Sequence, residues 1–309
     1  MELNLLNLWI AQGELLLLLA LGVGLYKLKL INSEAKLFLT DFVIYVAVPA
    51  NIVVSFIGEI DFSVFPKIAI VLTVSLFIQL LSYTLSRVLY RKEPDDLRNV
   101  MRYGILVSNS GFMGIPVSHE LFGIESLMYT SIYLIPQRVA VWTAGLSCFV
   151  KQKGQPTKKV VRQVALHPGL VSVYISLILL LFKIPLPSLI IKTTKSIGLC
   201  TTPLSMILIG AIVGEAGLKG LRIDLKIIGY SFVRLIFIPL VTYIGCRLFS
   251  VEPLLTGITV ALAGMPVGTT TAILASKYGA NTSFASNLVA ITTLLSMLTI
   301  PLWASVLLI

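Results

Sequence analysis

A chain of 309 residues with 57% apolar side chains, 12% charged ones and a mean hydropathy of +0.95 has more apolar surface than one soluble domain can hide. Its 24 basic and 14 acidic residues leave a net charge of +10. The basic residues sit in short loops without interleaved aromatics, which membrane topology alone produces, so nucleic acid is excluded as a partner and membrane lipid is expected.

Apolar runs of about 20 residues match a hydrocarbon core of about 30 Å. They predict ten spans, at 7–26, 37–57, 66–89, 102–122, 126–150, 168–183, 188–213, 227–248, 254–277 and 284–308. The first run carries Glu2 and Glu14 and has no small-residue cleavage site before Lys27, so it reads as a retained span. In span two, Asp41 stands a few residues inside, with Tyr45 one turn later. Asp41 suits an interfacial salt bridge or proton coupling. Span four holds Ser108, Asn109, Ser110 and Gly111 ahead of Gly114-Ile115-Pro116-Val117, and His119-Glu120 close it as an exposed pair.

Arg138 lies near the middle of span five, where an unpaired cation costs at least about 2.5–3.5 kcal/mol. It reads as a counter-charge for a carboxylate substrate, or as a structural partner of Asp41 or of exposed carbonyls. The stretch 151–167 is a solvated basic linker, with His167 inside it, between a first half (1–150) and a second half (168–309). Arg234 in span eight is placed to snorkel toward the cytoplasm. Span nine repeats the break, as Gly264-Met265-Pro266-Val267, followed by Gly268, Thr269, Thr270 and Thr271, whose hydroxyls suit the start of a new half-helix. Cys148, Cys200 and Cys246 show no metal spacing, and buried structural thiols are expected.

With the N-terminus outside, inner loops collect 17 of the 24 basic residues, which places both termini outside and the chain in the cell membrane as a multi-pass protein. Each half then has five spans, and because five is odd the second enters from the opposite side, as in an inverted repeat. The two Gly-x-Pro-Val copies, Pro49 against Pro203, and Gln137-Arg138-Val139-Ala140 against Asn287-Leu288-Val289-Ala290 keep an offset of about 150 residues. Glycine with proline interrupts a helix, and an interruption at bilayer depth is tolerated where it lines a cavity. Second half-helices present positive ends there, which attract an anion.

These motifs resemble those of the auxin efflux carrier family. The run Asn109 to Pro116 is similar to its Asn-Thr-x-x-x-Gly-Ile-Pro element, and Pro266-Val267-Gly268 with Ala275 and Tyr278 to its second crossover element. Phe42-Val43 with Ala47-Val48-Pro49 resembles its second span, and Thr202-Pro203-Leu204 with Gly210 its seventh; the short central loop looks like that of a bacterial member. The resemblance implies an all-α fold of ten spans as two inverted five-helix repeats, shared in outline with bile-acid/sodium symporters. Spans one, two, six and seven would form a scaffold with a homodimer contact. Spans three to five and eight to ten would form a transport domain that moves elevator-fashion, with broken spans four and nine crossing at its centre.

The resemblance implies Asn109 as a substrate hydrogen-bond donor, with the family's span-five glutamine falling on Gln137 by type and on Arg138 by spacing; the residues beside the breaks and the repeat-related position add Ser110, Gly268, Thr269 and Asn287 to the expected substrate contacts. Gly114, Pro116, Gly264 and Pro266 shape the crossing. The expected activity is secondary transport of small organic anions, such as carboxylates or auxin-like indole acids. A sodium-coupled bile-acid-type symporter and a channel or sensor on the same fold are the alternatives. Neither cofactor nor metal is expected, since zinc, thiol, diphosphate and nucleophile-elbow motifs are all missing from the chain. Any coupling ion would be a proton, although Ser108, Ser110 and Thr269 offer hydroxyls to sodium.

Overall fold

The computed structural model describes residues 5–55, 64–149, 162, 166, 168–182, 184–216 and 223–307. The linker over 151–167, apart from Arg162 and Leu166, and with it His167, lies outside the described residues, as do Lys219 and Arg222. Among the described residues every regular element is helical. In chain order these are α1 (Leu5–Lys27), α2 (Ser33–Phe42), α3 (Val48–Ser55), α4 (Val64–Leu89), α5 (Asp95–Leu106), α6 (Ile115–Phe122), α7 (Ser126–Ala140), α8 (Leu146–Phe149), α9 (Pro168–Leu181), α10 (Ser188–Leu199), α11 (Thr201–Ala216), α12 (Leu225–Phe232), α13 (Ile238–Leu248), α14 (Pro253–Ala263), α15 (Thr270–Lys277) and α16 (Thr282–Leu307).

Five continuous helical stretches among the described residues are both apolar and long enough to cross a bilayer: Ser33–Val54, Val64–Leu89, Ser188–Glu215, Leu225–Leu248 and Thr282–Leu307. The shortest has 22 residues, which at about 1.5 Å per residue covers roughly 33 Å. Large apolar side chains stand exposed along them, Leu80 at 67% and Leu298 at 65%, where lipid is the natural solvent. The chain is therefore an all-helical, polytopic membrane protein. The expected stretches 102–122 and 254–277 are interrupted: α5 stops at Leu106, α14 at Ala263, and α15 begins at Thr270.

Proline explains most of the local irregularity. A proline ring clashes with the carbonyl four residues earlier and offers that carbonyl no N–H. Three wide π turns, Val43–Ala47, Ser110–Gly114 and Val233–Phe237, each end two residues before a proline: Pro49, Pro116 and Pro239. Opening the helix by one residue relieves the clash. Pro239 denies the Leu235 carbonyl its usual donor four residues on, and the Trp303 indole Nε1–H donates to it across 2.9 Å.

Packing sorts the helices into two sets. In the first, α1 lies along α11 and α3 packs on α9 and α10. Small residues bring these backbones together. A Cβ on Gly210 would overlap the Leu19 carbonyl oxygen, one on Gly22 the Ile207 carbonyl oxygen, and one on Gly198 would stand 3.0 Å from Asn51 Cα. Lys36 and Glu215 form an ion pair within this set.

In the second set, α4 packs on α5 and α7, while α13 and α16 pack on α14. Its polar ties join the two halves of the chain. Lys67 pairs with Glu252 at 2.8 Å, Lys226 with Glu93 at 2.5 Å, and Asn281 Nδ2 donates to Asp96 Oδ2 at 3.2 Å. Between the sets, α11 meets α16 and the Ser110–Gly114 turn, and α3 meets α7. The Lys36–Glu215 pair thus lies within the first set, and Lys67–Glu252 and Lys226–Glu93 within the second.

Candidate functional site

The two interruptions meet. Val107 is extended (φ −118°, ψ 103°), and a short antiparallel bridge pairs Ser108 with Val267. The Gly268 N–H donates to the Val107 carbonyl at 3.0 Å, and the Asn109 N–H to the Pro266 carbonyl at 2.8 Å. Pro266 can only accept, and here it does. Gly268 is the glycine the crossing requires, because a Cβ would lie 3.0 Å from the Val107 oxygen and 3.2 Å from the Ser108 oxygen. Gly114 is held as tightly, with Leu262 Cδ2 2.7 Å from where its Cβ would be. Gly264 has no such neighbour within 3.4 Å and ends α14 without crowding.

Four helix ends converge on this bridge, and their polar groups are satisfied unequally. The negative, carbonyl-bearing ends of α5 and α14 are covered thoroughly. Gln79 Nε2 donates to the Leu106 oxygen at 2.8 Å, and Ser110 Oγ to the Leu262 oxygen at 2.9 Å. Arg234 supplies the rest: Nε donates to the Met265 oxygen at 2.9 Å, Nη2 to the Ala263 oxygen at 3.1 Å and Nη1 to the Ile105 oxygen at 3.5 Å. The expectation that Arg234 snorkels toward the cytoplasm is thus corrected. It lies on the wide turn Val233–Phe237, well inside its helix, is 2% exposed, and finds orphan carbonyls nearer than the headgroups.

At the positive ends, where Ser110–Gly111 and Thr269–Thr270 open the second half-helices, the first amides have no intrahelical acceptor. Asn109, 1% exposed, stands at one of them with neither Nδ2 nor Oδ1 hydrogen-bonded. A buried primary amide left unpaired on both atoms is a costly arrangement to keep without a ligand. No Asp or Glu occurs in 100–119 or 253–278, so the local field is that of unquenched helix N-termini.

Other expected residues divide sharply. Gln137 is buried and reaches the interruption, its Nε2 donating to the Ser108 carbonyl at 2.7 Å while Ser108 Oγ donates to its Oε1 at 2.9 Å. Ser110 Oγ is 2.6 Å from Ser108 Oγ. Arg138, about 100° further round the same helix, is half-buried, and its Nη1 is buried without a partner. The pairing with Asp41 weighed from sequence is not formed; Asp41 is exposed on α2. Thr269 is 3% exposed and beside the bridge, and Asn287 is half-buried on α16. The threonines do not cap α15 as expected. Thr270 Oγ1 is 3.0 Å from the Tyr103 hydroxyl, and Thr271 Oγ1 is buried without a partner.

His119 and Glu120, 3.5 Å apart, are half-buried rather than exposed. They line a cavity of about 280 Å³ that also takes in Glu14, Asn51, Lys195 and Thr202, between the two packing sets. Among the described residues no cluster of His, Cys, Asp and Glu could hold a metal ion.

A family model described as membrane transport protein matches residues 11–304. The chain belongs to that family. It is the auxin efflux carrier group that the crossover motifs resemble. Two archaeal members are similar along nearly their whole length. An uncharacterized transporter of Methanocaldococcus jannaschii is 26% identical over 286 residues, 90% of this chain and 92% of its own. An uncharacterized transporter of Methanothermobacter thermautotrophicus is 26% identical over 299 residues, 95% of this chain and 96% of its own. This family member is thus a membrane transporter.

Two contributions escaped sequence reading. Gln79 and Arg234 act on carbonyls of other helices, and only the depth of Arg234 in an apolar run hinted at such a role.

Proposed function

We propose that this family member is a secondary carrier of small organic anions, carboxylates or indole acids among them. The observation that carries the reading is the buried, unpartnered Asn109 amide at a crossing whose carbonyl ends are neutralised and whose amide ends are not. Asn109, Ser110, Thr269 and the amides that follow Gly268 would receive the anion, with Gln137 holding Ser108 in place and Arg138 and Asn287 flanking. Ten spans form two inverted five-helix halves, with both termini outside the cell membrane. Spans one, two, six and seven are the fixed scaffold and hold a homodimer contact; the remaining six move as one body. The ion pairs Lys36–Glu215, Lys67–Glu252 and Lys226–Glu93 each join residues of one packing set, which supports this elevator movement, since sliding leaves them intact.

The test is uptake of labelled carboxylates into proteoliposomes. Saturation, and acceleration by unlabelled substrate on the far side, are expected; single-channel currents without exchange would instead identify a pore. Asn109→Ala and Arg138→Ala are the site controls. Parental uptake in both would sink the assignment.

A further inference from the structure

Arg234 raises a question that the carrier reading does not answer, namely why a full positive charge is sealed inside the moving body. Its guanidinium faces three backbone carbonyls from two different broken helices and takes part in none of the ion pairs among the described residues. Each helix C-terminus carries roughly half a negative charge. Two such ends sum to roughly one, which a single guanidinium balances. Carbonyls at interrupted helix ends are also the oxygen ligands that a small coupling cation uses in transporters built this way.

We infer that the Arg234 guanidinium is a resident cation: it fills a carbonyl-lined position between the ends of α5 and α14 that, once emptied, accepts a small monovalent cation. The inference deepens the carrier reading by naming how the crossing is neutralised. Because this cation is covalently attached, it travels with the crossing, and the crossing holds its shape in the absence of sodium. Arg234 is a positioning residue here. It touches the frame of the site, and the five donors of the guanidinium suit several acceptors at once better than the point charge of a lysine does.

The experiment measures thermal unfolding of purified protein in chloride salts of sodium, potassium, choline and guanidinium at one ionic strength, with guanidinium far below denaturing levels. The parent's Tm is expected to be equal in sodium, potassium and choline. Arg234→Ala loses about 10 °C or more, on the scale of three charge-assisted bonds, and regains at least half of it in guanidinium or sodium but not in choline, which is too large to enter. Arg234→Met, whose side chain fills the space without a charge, stays low in every salt. A parent Tm that rises specifically in sodium overturns the inference. So does an Arg234→Ala protein as stable as the parent, or one whose loss is indifferent to the cation. If Arg234→Ala yields no folded protein, Arg234→Lys and Arg234→Gln are compared, and a lysine variant no more stable than the glutamine variant overturns it as well. Carboxylate uptake by the parent is run in parallel. Its absence would refute the carrier reading while leaving the cation result to stand on its own.

Discussion

Replacing Asn109 with leucine should move stability and transport in opposite directions. Leucine has the branching and heavy-atom count of asparagine and carries no polar atom. In the resting structure Asn109 is 1% exposed and neither polar atom of its amide is bonded, so the substitution removes a desolvation penalty of about 1–3 kcal/mol. At roughly 2–4 °C per kcal/mol for a chain of this size class, Tm should rise by about 2–12 °C. Transport should fall. A hydrogen bond from a neutral amide to a charged ligand contributes about 1.5–3 kcal/mol, so the ratio of Vmax to KM for a transported carboxylate should drop by roughly 10- to 150-fold. Differential scanning fluorimetry in detergent and initial-rate uptake into proteoliposomes read the two quantities. A Tm that falls, or uptake within twofold of the parent, refutes the reasoning, because the amide would then have a protein partner or no cargo to hold.

Three further outcomes test the frame around that site. Gly210→Ala should drive a methyl into the Leu19 carbonyl and cost more than about 3 kcal/mol unless α1 shifts; the monodisperse fraction in size-exclusion chromatography checks it, and a parental yield and Tm would contradict it. Trp303→Phe should leave the Leu235 carbonyl buried and unpaired, lowering stability by about 1–3 kcal/mol, read from the Tm. Glu120→Cys with Lys195→Cys, in a background lacking Cys148, Cys200 and Cys246, places thiols on the two packing sets across one cavity. A bifunctional thiol reagent should arrest uptake there, while bridging Lys36→Cys to Glu215→Cys, both in the first packing set, should leave it unchanged.

What could be read from the chain follows from how far each residue acts. Pro116 and Pro266 disturb their own helices, so both interruptions, and the small polar residues beside them, were visible in the order of residues alone. Gln137 and Arg138 could not be separated, because one step along a helix turns a side chain by about 100°, and span boundaries are not known to one residue from hydropathy. Arg234 was misjudged for a different reason. Its partners are carbonyls of Ile105, Ala263 and Met265, and backbone atoms leave no trace in a side-chain pattern. The glycine seam of Gly22 and Gly210 was equally silent, since a glycine in a membrane helix looks alike whether it faces lipid or another backbone.

The bridge between the two broken helices is tied by main-chain atoms of Val107, Asn109, Pro266 and Gly268. Every amino acid carries a carbonyl, and nearly every one an N–H, so beyond the bare glycines at 114 and 268 and the Gln79, Ser110, Gln137 and Arg234 side chains that brace its carbonyls, this knot asks little of its surroundings. The residues facing the adjoining space are therefore free to change without loosening it. A frame knotted in this way can be refitted for a new cargo by exchanging a few neighbours, while the crossing that carries the load keeps its geometry.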